Sequence, residues 1–200
     1  MPNPKRGNEI PTIDVAMVTI ETKTGAELVL QTASKIAVNV QSETQDAVKL
    51  VVKGKLIAQK PSVVTITGNT IVLTDNVFNP EMVKILQGGV VKYWSDAEQK
   101  TETDADAGYG VSSYTPPVAG SDEKGEPFTL NAYSAIYDSA GLITGYEKIA
   151  YPNAQGTPIA LNSEDNVFRA PEYTINSAPK KGEAPYKISY VKTLPVVAAG

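Results

Sequence analysis

Asp75-Asn76-Val77-Phe78-Asn79-Pro80-Glu81-Met82-Val83-Lys84-Ile85-Leu86-Gln87-Gly88-Gly89 carries a complete set of helix start and stop signals. Asn79 can accept from an orphan backbone N–H of the first turn. Pro80 then occupies the first helical position, where its missing donor costs nothing. Glu81 lies where the helix dipole favours an anion. Phe78 and Val83 are spaced for a hydrophobic staple, and Met82, Val83, Ile85 and Leu86 form an apolar stripe. Gly88-Gly89 supplies the left-handed C-cap. The reading is one short helix at about 80–87, clamped by one face.

Upstream, the chain reads as β. Ile13, Val15 and Met17 alternate, and Val18 and Ile20 continue on the other parity, which predicts a bulge or a strand buried on both faces. Lys23-Thr24-Gly25 turns this strand into a second, so residues 13–31 read as a hairpin. Alternation returns at Ile36/Val38/Val40 and at Val48/Leu50/Val52, and Gly54 turns into Leu56-Ile57-Ala58. Between these runs, residues 41–46 are polar and read as a loop or as the tip of a long hairpin. Gly68-Asn69, flanked by Val63–Ile66 and Ile71–Leu73, signals a two-residue hairpin or a bulge. Residues 90–94 read as a further strand. Residues 1–12 carry three prolines and no periodicity, and read either as a disordered tail or as an arm that orders against a neighbouring subunit.

Downstream, residues 95–127 break the pattern. Eight acids stand against Lys100 and Lys124, a local charge of about −6 in a chain of net charge −4. Aliphatic residues nearly vanish there, so the segment reads as a long insertion loop without structure of its own. Asp104 and Asp106 have the spacing that opens a calcium loop, but the distal bidentate Glu is missing and a solvated acidic loop is the better reading. The β pattern resumes at Phe128, turns at residues 138–141 and returns over 143–150. Residues 152–158 read as a loop, and 165–169, 172–175 and 186–191 as the last strands. All ten tyrosines lie at or after Tyr93. They read as interface residues or as the filling of one sheet, the latter for Tyr133, Tyr137, Tyr146, Tyr151, Tyr173 and Tyr190.

Composition narrows the chemistry. The 200 residues suffice for one β domain with a real core. With no histidine and no cysteine, the commonest general base, metal ligands and any disulfide framework are missing. The acidic pairs Asp104/Asp106, Asp122/Glu123 and Glu164/Asp165 sit in polar stretches where solvation keeps carboxylates ordinary. Gly108-Tyr109-Gly110 follows no strand-to-helix pattern, so no phosphate-binding loop is read there. Catalytic, cofactor-binding and metal residues are therefore each expected to be none. A sequence pI near 5.0 argues against a nucleic-acid-gripping surface. The lack of a long apolar run or of a signal-like start predicts a soluble protein that folds in a cytoplasm.

The run Leu73–Glu81 closing with Leu86-Gln87-Gly88-Gly89 resembles the major tail protein, or tail-tube protein, of phages of Gram-positive hosts and of phage tail-like particles. A second block resembles the same family: Gly145-Tyr146-Glu147-Lys148-Ile149-Ala150-Tyr151-Pro152-Asn153, then Pro171-Glu172-Tyr173-Thr174-Ile175, then Pro185-Tyr186-Lys187-Ile188. Ala154 departs from it, standing where many relatives carry cysteine. The resemblance implies a mainly β fold of two packed antiparallel sheets, a sandwich or half-barrel, with the short helix on its flank. It also implies a single tail-tube-like domain over residues 1–200 that forms stacked, hexameric rings. Its partners would be further copies of itself, tape-measure, tail-tip and terminator proteins, and a sheath where the tail contracts. DNA would pass through the lumen without specific binding, and the particle would assemble in the bacterial host cytoplasm. The alternative on the same alternating pattern is a cell-surface β-sandwich module that binds glycan or protein, against which stands the single tryptophan.

Overall fold

The computed structural model describes residues 10–25, 27–94 and 110–196. The first strands are β1 (Thr12–Thr22), β2 (Glu27–Leu30), β3 (Ala33–Gln45), β4 (Val48–Val52), β5 (Lys55–Lys60) and β6 (Val63–Asp75), followed by helix α1 (Pro80–Gln87). Beyond the helix come β7 (Val90–Tyr93), β8 (Val111–Thr115), β9 (Phe128–Tyr137), β10 (Ile143–Gly156), β11 (Glu172–Ser177) and β12 (Lys187–Val191). Seven strands run in the order β2-β1-β9-β10-β11-β6-β3, and β12 adds to β10. Every ladder is antiparallel.

Strand β10 is where the sheet bends. Its residues 146–150 pair with β12, whereas Ala154, Gln155 and Gly156 pair with β11. Between the two stretches the register breaks at Pro152-Asn153, with Asn153 at φ 47°. Pro152 has no N–H to give, and its carbonyl accepts instead from Ser177 Oγ at 2.8 Å. The expected pair of packed antiparallel layers is thus present as two halves of one folded-over sheet. Val18, Ile20, Phe128 and Leu130 face Ile71, Leu73, Tyr173 and Ile175 in a single buried cluster, completed by Met82, Val83 and Leu86 of α1. No ladder joins β3 to β2 among the described residues, so the half-barrel stays open with β2 and β3 at its two ends.

The helix forms as its sequence dictates. Asn79 Oδ1 accepts from the backbone N–H groups of Glu81 (2.9 Å) and Met82 (3.2 Å), and Pro80 follows at the first turn. Phe78 packs on the cluster that holds Val83. At the other end, Gly88 has φ 85° and ψ −160°, a glycine-only region rather than the left-handed helical cap that was expected. Its N–H still closes the helix on Lys84 O at 2.8 Å.

Other expectations need correction. Residues 41–46 are not a loop: through Gln45 they continue β3, because Val63–Ile66 opposite supply a β-prone partner. Of the two readings of Gly68-Asn69 the hairpin fails and the bulge holds: the pair lies inside β6, next to a bulge that leaves Thr67 unpaired between Gly68 and Ile66. In β1 both sequence readings hold: a bulge with Asp14 at φ 63° changes the parity, and Met17–Ile20 are buried on both faces. The 152–158 loop begins late, since β10 runs to Gly156. Residues 165–169 form no strand; they are exposed, with Asn166 at φ 60°.

The acidic insertion is the largest correction. Residues 95–109 lie outside the described residues, and with them Asp104 and Asp106. The rest of the segment is built into the fold. β8 pairs with β7, and Tyr114 donates its hydroxyl to Gly88 O at 2.9 Å while accepting from Gln87 Nε2 at 2.9 Å. Glu123 accepts from Gly89 N at 3.1 Å. Residues 1–9 of the N-terminal arm also lie outside the described residues, and Thr12 already belongs to β1.

Candidate functional site

The feature with no counterpart in the core is an arm. Beyond residue 38 the β3–β6 ladder leaves the body of the sheet and continues into the β4–β5 ribbon. Every residue from Asn39 to Thr67 is exposed except Ala47. Val40, Val48, Leu50, Val51, Val52, Leu56, Ile57, Val63, Val64 and Ile66 are all large, apolar and at least 44% exposed. A bulge at Ile57 fixes which of them stand together. One face of the ribbon carries Val48, Leu50 and Val52 opposite Lys60, Ala58 and Lys55, and the other carries Val51 with Leu56. A two-stranded ribbon is marginally stable alone in water, and this one gains no support from a core.

The tip is a tight turn. Val52 pairs with Lys55, and between them Lys53 (φ 49°) and Gly54 (φ 79°) both have positive φ, the signature of a type I′ turn. Asn or Asp is the usual first residue of such a turn, and a lysine there is a costlier choice. Residues 48–60 hold Lys49, Lys53, Lys55 and Lys60 and no acid, a basic tip on an acidic chain.

At the far end of β3 and β6 lies a cleft of about 620 Å³. Its walls include Val29, Leu30, Val77, Phe78 and Val111, and among the described residues its only charged lining residues are Asp75 and Glu81. Asp75 is 1% exposed and accepts from Thr32 Oγ1 at 2.5 Å and from Val77 N at 3.4 Å. Glu81 accepts from the Tyr93 hydroxyl at 2.6 Å, which, with burial and the carboxylate's charge, raises that phenol to about 12. The Arg169 guanidinium lies outside the lining, 5.5 Å from the centre of the Phe78 ring. Beneath the cleft Tyr173 is fully buried, and burial pushes its phenol up to about 12. The Asn79 backbone opposes part of that shift, but the hydroxyl has no well-formed hydrogen bond among the described residues.

Of the acids singled out from sequence, Asp104 and Asp106 lie outside the described residues and the other two pairs do not converge. Asp122 and Glu123 are exposed beside the helix C-terminus, and Glu164 and Asp165 lie exposed on the 157–171 connection. Among the described residues no group of three His, Cys, Asp or Glu could hold a metal ion, and no helix is long and apolar enough to cross a membrane. The tyrosines divide: Tyr133, Tyr151 and Tyr173 are buried, Tyr137 and Tyr146 half-buried, and Tyr93 and Tyr190 exposed. Sequence reasoning missed the cleft, because Asp75 and Thr32 are 43 residues apart.

No protein-family profile matches the chain, and no curated protein matches it. Among solved structures it is similar to a chain in the cryo-EM structure of the anti-feeding prophage (AFP) baseplate, 6-fold symmetrised. The identity is 8% over 96% of this chain and 97% of that one, with a TM-score of 0.31.

Proposed function

We propose that this protein is a non-enzymatic structural subunit of a phage tail or tail-like particle, and within that class a tail-tube protein. Copies associate into rings, hexameric in the family it resembles, and the rings stack into a conduit for DNA. In this reading residues 1–200 act as one tube-forming unit, its contacts are with itself and with tape-measure, tip and terminator proteins, and it assembles in the host cytoplasm. The observation that carries the reading is the arm. A single copy leaves about ten large apolar side chains in water along residues 40–66, on a ribbon that cannot support itself. Exposed strands and free sheet edges are hazards in a monomer and contacts in an assembly. The resemblance of residues 73–89 and 145–188 to the tail-tube family adds the architecture.

Stability and size must then rise with protein concentration. Light scattering and negative-stain electron microscopy across a wide concentration range should find rings or short tubes. A variant in which a short Gly-rich turn replaces residues 46–62 should stay folded by circular dichroism and stay monomeric. A full-length protein that remains monomeric at high concentration and binds a glycan array would sink the tube reading and establish the surface module instead.

A further inference from the structure

We infer that the β4–β5 tip of one copy seats in the Asp75–Glu81 cleft of the next copy, with Lys53 and Lys55 against Glu81. The inference rests on the assembly reading above and names its contact.

Three observations lead to it. First, arm and cleft lie at opposite ends of one ladder: β6 runs thirteen residues from Val63 beside the arm to Asp75 in the cleft wall. At about 3.3 Å per residue that is roughly 40 Å, so an arm cannot reach its own cleft. A contact between unlike ends is heterologous, and such contacts close into rings or continue into filaments. Second, the charges match. The tip holds four lysines and no acid, and among the described residues the cleft wall holds two carboxylates and no cation, with Arg169 outside it against the Phe78 ring. The N-terminus of α1 offsets only about half a charge of those two. Third, the surfaces match in character: apolar Val51, Val52 and Leu56 flank the tip, and apolar Val29, Val77 and Phe78 wall the cleft. The positive φ of Lys53 fits the same account, because a costly residue at the turn places a cation at the extreme of the arm.

Charge reversal with exchange tests it. Lys53→Glu/Lys55→Glu alone puts acid against an acidic cleft, and Glu81→Lys alone puts lysines against a lysine. Each should weaken self-association by at least about tenfold. Mixed, the two variants have complementary ends in both directions and should assemble in alternation. The chain has no cysteine, so a second readout is clean and leaves Glu81 in place. Lys53→Cys mixed with Val77→Cys should form dimers with a short bis-maleimide, and Lys53→Cys mixed with Leu142→Cys, exposed and not in the cleft wall, should not. Two results would overturn the docking while the assembly reading stands: a wild type that assembles no better than the lysine variant, or a thiol at position 53 that links no better to position 77 than to position 142. If the wild type never assembles, both fall.

Discussion

Gly156→Ala is a small change that should have a large effect. A Cβ on Gly156 would lie 2.4 Å from Leu86 Cβ and Cδ2 and 2.6 Å from Leu86 Cα. Carbon atoms in contact sit about 3.5–4.0 Å apart, so relief needs roughly 1 Å of separation between β10 and α1. Rotating Leu86 moves Cδ2 but neither Cβ nor Cα. Nor is the helix free to withdraw. Its last turn is held by the pairing of Tyr114 with Gln87 and Gly88, and by Gln87 Oε1, which accepts from Ile159 N at 3.1 Å. The cost should fall in the upper part of the range for overpacking, about 2–3 kcal/mol, which for a chain of this size lowers Tm by roughly 5–10 °C. Urea titration and thermal melts followed by circular dichroism measure it, at a concentration low enough to keep the protein monomeric. Leu86→Ala provides the internal check. Alone it should cost about 2–5 kcal/mol, and in its presence Gly156→Ala should keep more than half of its own cost, since the Cα and Cβ contacts persist. A loss below about 0.5 kcal/mol for Gly156→Ala, or full absorption of its cost by Leu86→Ala, would show that helix and strand are not in backbone contact.

Two further perturbations probe the helix and its surroundings. Gly88→Val forces a β-branched residue to φ 85°, ψ −160° with its Cβ 3.2 Å from the Lys124 backbone, and should destabilise by about 1–3 kcal/mol or more; an unchanged melting temperature refutes the cap. Tyr173→Phe should raise stability, since it removes a buried hydroxyl that lacks a well-formed partner. The pH dependence has a definite sign: the Tyr173 phenol titrates near 12 in the folded chain against 10.0 when free. The folded state therefore holds its proton longer, the stability is intact below pH 10, and it falls between pH 10 and 12 by about 1.4 kcal/mol per pH unit. Tyr173→Phe should flatten that fall, and Tyr93, more than half exposed, should add less; an identical alkaline slope in the variant would contradict the burial argument.

Much of the fold could be read from local chemistry. The cap at Asn79-Pro80, the strand parities and the turn at Gly54 depend on residues within a few positions of one another, and the chain realises each of them. The misreadings share a cause. β8 hides in an acidic segment because its pairing with Val90–Tyr93 is a contact across some twenty residues of sequence. Val167-Phe168 looks like strand material, but among the described residues no neighbour offers it a ladder, and Phe168 is 96% exposed. At Pro152-Asn153 the turn signal is genuine, yet Ser177 and Ala178 from another strand's end take up the polar groups and the strand resumes. The cleft was illegible for the same reason, being made where Thr32 meets Asp75. The arm's apolar alternation was visible in sequence; its exposure was not, because alternation says that a face exists and not what covers it.

The placement of arm and cleft also decides how a pull would travel through the molecule. The chain leaves the β4–β5 turn at Lys55, runs along β5 and β6, passes Asp75 and enters α1 at Pro80 without interruption. A tensile load applied at the tip and borne at the cleft follows covalent bonds the whole way. It crosses no hydrogen-bonded ladder that could unzip. The flanking strands β3 and β11 act on that path as splints, keeping it straight rather than carrying the force.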